Sequence, residues 1–187
     1  VTSIDGSGCA GHPGEDDTGL VVLLPATVDL VDIPVIASGG MADGRGLVAA
    51  LALGAEGINM GTRFMATKEA AIHENVKKKI VENTERDTIL TNRTIRNTSR
   101  VARNAISEEV DAIQQDPTKT IEDVRHLVAG VRGRANVLGA GEMDGGIWTV
   151  GQSQGLIHDI PTCDELVKNI MAQANGIIRK RLEGMAA

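Results

Sequence analysis

One histidine and five residues at two strand ends carry the chemistry open to this sequence. His12 stands in the run GSGCAGHPGEDD, between Gly11 and Pro13. An imidazole on a glycine-rich loop can act as base, acid or hydrogen-bond donor near neutral pH. The bland alternatives are a solvated loop histidine, or a metal ligand supported by Glu15, Asp16 and Asp17. Metal binding is the weaker of these, because three consecutive acids point their side chains apart. Ser38, Gly39 and Gly40 close the apolar run IPVIASGG, which passes through MADGRG into a helix near Arg45. Gly61 and Thr62 close a second run, INMGTRF, about twenty residues later. Such turns present backbone N–H groups and a helix amino terminus to an anion, and glycine lets a phosphate approach the chain. One glycine pair would be ordinary turn geometry, whereas two successive strand ends of this kind favour a phosphate cradle. Arg63 is either a further phosphate ligand or an ion-pair partner for Asp43 or Glu69.

The elements that must hold these loops follow from the pattern around them. From Val1 to about Thr67 short apolar runs alternate with helical ones: VTSID, TGLVVLLPATVDLV, IPVIASGG, GRGLVAALALG and EGINMGTRF. Strand, helix, strand, helix, strand implies parallel pairing through right-handed crossovers, hence an α/β sheet or barrel with its ligand loops at the strand carboxyl ends. We expect adjacent parallel strands at Val1–Asp5, Ile33–Ala37 and Gly57–Met60, with the helices on one side. Beyond Ala66 the β pattern stops, and helices are expected over Ile72–Glu82, Arg93–Gln114, Ile121–Ala129 and Cys163–Leu182. Thr120 with Asp123 and Thr162 with Glu165 have capping-box spacing, which fixes two of these starts. Gly130 to Gly155 is glycine-rich and reads as an extended connection around the lone Trp148, itself a packing anchor rather than a stacking platform. The organisation predicted is therefore 1–67 as part of a barrel and 68–187 as a helical subdomain. Arg93, Arg96, Arg100 and Arg103 recur at three, four and three, which puts them on one helix face. That face reads as solvated or paired with Glu85, Glu108 and Glu109. His73, His126 and His158 fall in or beside helical segments and read as structural or solvent-facing.

Composition excludes several functions. The formal charge is -6 and only 1% of the residues are aromatic, which leaves little for base stacking or attraction to a phosphate backbone. Cys9 and Cys163 have no ligand spacing and read as buried thiols rather than a disulfide or zinc site. The apolar stretches at Leu20–Leu24 and Leu47–Leu53 are interrupted well short of the roughly 20 residues of a membrane span. A soluble, cytoplasmic protein with no membrane or nucleic-acid partner is expected, and the abrupt start at Val1 reads as a cut from a longer chain.

GSGCAGHPGEDD, IPVIASGGMADGRGLVAALALGAEGINMGTRF, RNTSRVARN and GIWTVGQSQGLI together resemble the nitronate monooxygenase family, formerly called 2-nitropropane dioxygenases. The resemblance covers essentially the whole chain but only the carboxyl-terminal half of a typical member. It implies an α/β fold, the last three strands of an FMN-binding (β/α)8 TIM barrel followed by a helical subdomain. It implies FMN phosphate on Ser38, Gly39, Gly40, Gly61 and Thr62, His12 as the catalytic residue beside the flavin, and no metal. The implied activity is oxidation of an alkyl nitronate by O2 to a carbonyl compound and nitrite. Some members that look similar implicate NADH as donor and a quinone as acceptor instead. Three strands cannot close a barrel, so the missing amino-terminal half is an expected partner. The isolated chain is then either inactive or a phosphate-ligand-binding α/β module.

Overall fold

The computed structural model describes residues 1–186. Its first third is a parallel three-stranded sheet: β1 (Thr2–Asp5), β2 (Val35–Ser38) and β3 (Gly57–Asn59), in the order β1-β2-β3. Ile4 lies opposite Ala37, and Ala37 opposite Ile58. The expected strands are thus present and parallel, the second beginning two residues later than its apolar run, because Ile33 and Pro34 precede the ladder.

Helices α1 (Leu20–Val28) and α2 (Gly44–Ala52) form the crossovers. Alternate strand residues Ile4, Val35, Ala37 and Ile58 join Leu24 and Ala50 of the helices in one apolar cluster. Both helices therefore cover the same strand face, as the period-two pattern requires. Asp43 caps α2, accepting hydrogen bonds from the amides of Arg45 at 2.8 Å and Gly46 at 3.4 Å. Burial alone would raise its pKa, but those bonds and the Arg45 guanidinium outweigh it and hold the carboxyl below its usual value.

After the short helix α3 (Thr62–Met65) and α4 (Glu74–Glu82), the chain departs from expectation. Arg93–Gln114 is not one helix. Residues on either side of Arg93 pair instead as an antiparallel hairpin, β4 (Thr88–Thr91) with β5 (Ser99–Ala102). A short 3-10 turn at Arg93–Ile95 bridges them, flanked by Asn92 and Arg96 in the left-handed region. Helix α5 (Ala105–Gln114) begins only after the hairpin, at a cap made by Asn104 and Ser107. Four arginines at helical spacing therefore never share a helix face: Arg100 is buried in β5, whereas Arg93, Arg96 and Arg103 are exposed around it.

Helix α6 (Ile121–Val128) and the long helix α8 (Cys163–Ile177) carry the two capping boxes expected at Thr120 and Thr162. The glycine-rich connection is more structured than its composition implied. It holds α7 (Gly130–Arg132), a π-helical stretch over Gly133–Gly139 and a 3-10 segment over Gln152–Leu156. Trp148 anchors a core with Val76, Ile80, Val137 and Val150, in line with its reading as a packing residue. Helix α8 returns to the first region. The Gln173 carboxamide accepts from Gly44 N–H at 2.7 Å, and a Cβ on Gly44 would stand 2.6 Å from the Ile170 carbonyl oxygen. Ala187, last residue of the predicted second region, lies outside the described residues. Among those described, no helix is long and apolar enough to cross a membrane.

Candidate functional site

The two glycine turns converge. Ser38, Gly39, Gly40, Gly61 and Thr62 all line one cavity of about 220 Å3 at the carboxyl ends of β1, β2 and β3. Gly39 and Gly40 have φ of +85° and +84°, the left-handed region that favours glycine. Their side-chain directions differ. A Cβ on Gly39 would come within 2.7 Å of the Gly6 carbonyl oxygen, while one on Gly40 or Gly61 would meet nothing within 4 Å. The backbone at Gly40 and Gly61 is therefore open to a ligand, and Gly39 is glycine for internal packing. Thr62 accepts the Gly151 N–H at 2.9 Å on its Oγ1 and keeps its own hydroxyl proton to donate.

The sequence reading missed several residues of this cavity. Gly151 and Ser153 enter from the far end of the chain, and Cys9, Ala10 and Asp5 from the end of β1. Asp5 brings an acceptor suited to hydroxyl groups rather than to phosphate. Cys9 is buried, as expected, and burial followed by the nearby Asp5 raises its thiol pKa. Cys163 is only partly buried.

His12 stands apart from the cradle. Its exposed side chain borders a second cavity of about 630 Å3, whose walls include Met65, Val101, Leu138 and Trp148. What fixes His12 is the hairpin that the sequence concealed. Gly11 and Arg100 exchange backbone hydrogen bonds of 3.0 and 2.6 Å. The Arg100 guanidinium donates to the Ser7 carbonyl at 3.0 Å and to the Thr88 hydroxyl at 2.8 Å. Burial lowers its pKa from the ordinary arginine value. Farther along the loop, Glu15 accepts from the Thr98 amide at 3.0 Å and its hydroxyl at 2.5 Å. Asp17 pairs with Arg93. Both carboxyls lie below their usual pKa, the first through its hydrogen bonds from Thr98 and the second through that from Arg93. Glu15 and Asp17 are thus occupied in holding the loop, and no grouping of three metal-ligating side chains is found among the described residues.

Arg63 is buried and bonded to Asp159, at 2.5 Å to the carboxylate and 3.2 Å to the carbonyl. Its partner is thus neither Asp43, which is bonded to Arg45, nor Glu69, which receives the Cys163 amide. His73 caps α4 by accepting from the Asn75 amide at 3.1 Å, a structural role. His126 and His158 face solvent.

Parallel strands whose carboxyl ends meet at a glycine-lined cavity place the chain among α/β proteins built on open or closed parallel sheets, which carry their ligand loops at that edge. The chain belongs to the nitronate monooxygenase family, whose model matches residues 1–173. It is 34% identical to the "Probable nitronate monooxygenase" of Staphylococcus aureus (strain MSSA476), over 93% of this chain and 50% of that protein. It is 32% identical to "(3aS,4S,5R,7aS)-5-hydroxy-7a-methyl-1-oxo-octahydro-1H-indene-4-carboxyl-CoA dehydrogenase" of Rhodococcus jostii (strain RHA1), over 98% of this chain and 60% of that protein. The structure matches FabK from Thermotoga maritima with a TM-score of 0.88 at 35% identity, covering 98% of this chain and 56% of that one. The chain thus spans between half and three-fifths of the length of these relatives.

Proposed function

We propose that this chain is the carboxyl-terminal part of an FMN-dependent nitronate monooxygenase. In this reading residues 1–67 supply the last three strands of a (β/α)8 barrel, and the remainder forms a second region against its ligand edge. The observation that carries it is the cradle: five residues from two separate strand ends line one cavity, with open space off Gly40 and Gly61. The amides there, the Ser38 and Thr62 hydroxyls and the absence of a side chain at Gly40 and Gly61 fit a phosphate monoester. Asp5 at the same strand edge suits the hydroxyls of a polyol chain. When bound, FMN supplies the electron-accepting chemistry that no side chain offers. The protein holds the phosphate end and keeps His12 on a clamped loop, where its imidazole can take a proton from a neutral nitroalkane or donate to a nitro oxygen.

The substrate is oxidised by O2 to a carbonyl compound and nitrite. The name of the R. jostii relative carries a bicyclic acyl-CoA, so membership of the family does not restrict the substrate to small nitronates. The test uses the full-length protein, with flavin content from its visible spectrum and rates on propyl nitronate with O2 and on NADH with a quinone. Bound FMN and nitronate turnover are expected. His12→Ala should keep the flavin and slow turnover of neutral nitroalkanes by about 10²- to 10⁴-fold, with a smaller effect on the anionic nitronate, which has already lost its proton. Quinone reduction without nitronate turnover would overturn the substrate. A colourless full-length protein would overturn the flavin site and leave a phosphate-binding module.

A further inference from the structure

The larger cavity is the most substantial feature left without a role. At about 630 Å3 it lies within the range of roughly 300–1,000 Å3 typical of sites for small organic ligands. Its walls come from separate parts of the chain: Met65 of α3, Val101 of the hairpin, Val128 of α6, Leu138 of the π-helical stretch and Trp148 of the following connection. Polar side chains are confined to a few amides and hydroxyls, no carboxylate lines it, and Arg134 is its one permanent charge. Trp148 is almost wholly buried in this wall, and its indole N–H has no acceptor among the described residues.

The cavity adjoins the cradle through two stretches of chain. Cys9 and Ala10 line the cradle, and His12, two residues on, lines the cavity; Gly151 and Ser153 line the cradle, and Trp148 and Thr149 the cavity. A molecule in the larger space therefore lies next to His12 and beside whatever the cradle holds.

We infer that this cavity is a binding site for the apolar body of an elongated substrate, a chain or ring system whose anionic or electron-rich head lies toward His12. This rests on the oxidoreductase reading for what the head undergoes, but not for the binding itself. A small nitronate would leave most of such a space unfilled, and the scarcity of polar groups gives a charged tail nothing to pair with beyond Arg134. The occupant is the protein's own small-molecule substrate, because His12, the proposed catalytic residue, lines this cavity.

Trp148 is the sole tryptophan, so its fluorescence reports occupancy directly. Straight-chain carboxylates from propanoate to decanoate serve as unreactive probes, since a carboxylate shares the planar two-oxygen head of a nitronate. Titrated into the full-length protein below their micellar concentrations, they should bind about threefold to fourfold more tightly per added methylene until the cavity is filled. Gly130 lines the wall, and a Cβ there would meet nothing within 4 Å. Gly130→Phe should therefore project into the cavity and flatten the dependence on chain length, with propanoate affinity unchanged. Val128→Phe, on the neighbouring wall, provides the same test if the first variant does not fold. A dissociation constant independent of length, no Trp148 response to any probe because another part of the polypeptide fills the space, or a length dependence that survives both variants would each overturn the inference. Flavin content of the same samples judges the previous proposal separately. Protein without flavin that still discriminates chain length keeps this site and loses that reading, and a flavoprotein indifferent to length does the reverse.

Discussion

The two candidate sites, the glycine cradle and the His12 loop, are held by opposite means. In the first, the Ser38–Gly40 and Gly61–Thr62 turns are fixed by the parallel sheet beneath them. Their geometry follows from strand ends only twenty-one residues apart in register-paired elements. In the second, the loop carrying His12 has no sheet of its own. It is held by the Gly11–Arg100 backbone bridge and by side-chain bonds that tie it to Arg93, Thr98 and Arg100, 76 to 93 positions away in sequence. A cradle built on backbone tolerates changes of side chain but not of glycine. A loop clamped by side chains is sensitive to their loss as well.

The largest effect should come from breaking the backbone-built site. Gly39 combines φ of +85° with a Cβ position 2.7 Å from the Gly6 carbonyl oxygen and 3.0 Å from Cys9 Cβ. Gly39→Ala should destabilise the fold by about 2–6 kcal/mol, from left-handed strain together with overpacking. Gly40→Ala shares the φ but not the collision, and should cost only about 1–2 kcal/mol. Thermal unfolding of the pair checks this, and equal losses would mean that the two glycines are not distinguished by packing as the structure has them.

An intermediate effect is expected at the clamp. Arg100→Met removes a buried guanidinium and leaves the Ser7 carbonyl and Thr88 hydroxyl without their donor. The expected cost is about 1–3 kcal/mol. Arg100→Lys should recover part of it, since an ammonium keeps the charge but cannot span both acceptors as the planar fork does. Because this residue positions the loop without lining the cradle, flavin retention should survive in Arg100→Lys while the contribution of His12 to nitroalkane turnover falls. If flavin is lost and turnover per flavin is unchanged, Arg100 serves the cradle and not His12.

The same contrast explains what could be read from the sequence. The βαβαβ region declares itself because each element is local and its glycines fall directly after apolar runs. Five residues could thus be placed at one sheet edge before any coordinates, where they line one cavity. The hairpin was hidden by an accident of spacing, because arginines at three, four and three imitate a helix face. The competing signal, two short runs TILT and SRVA separated by an asparagine-flanked turn, is only four residues long on each side. Arg63 could be recognised as an ion-pair candidate but not matched to Asp159, ninety-six residues away, since nothing local selects among the acids. Gly151 and Ser153 reach the cradle for the same reason, through a tertiary contact that spacing cannot encode.

The smallest effect sharpens the comparison at a single exposed carboxylate. Glu15 ties the His12 loop to the hairpin through the Thr98 amide and hydroxyl, bonds that favour its charged form and depress its pKa. A depressed carboxyl contributes its stabilisation above the unfolded-state value, about 4.3 for glutamate, and loses it as pH falls through the lower folded value. The clamp should therefore be intact at neutral pH and loosen only below about pH 4. The Thr98 amide resonance, followed by NMR as pH is lowered, should titrate with a midpoint below the ordinary glutamate value. In Glu15→Gln the carboxamide oxygen can still accept that N–H, so the resonance should lose its titration while the protein stays folded. Because the group is exposed, the change in unfolding midpoint at neutral pH should be slight, far below that of either Gly39→Ala or Arg100→Met. A Thr98 midpoint at or above the ordinary value would mean that Glu15 is free in solution, and that the clamp on the His12 loop rests on Arg93 and Arg100 alone.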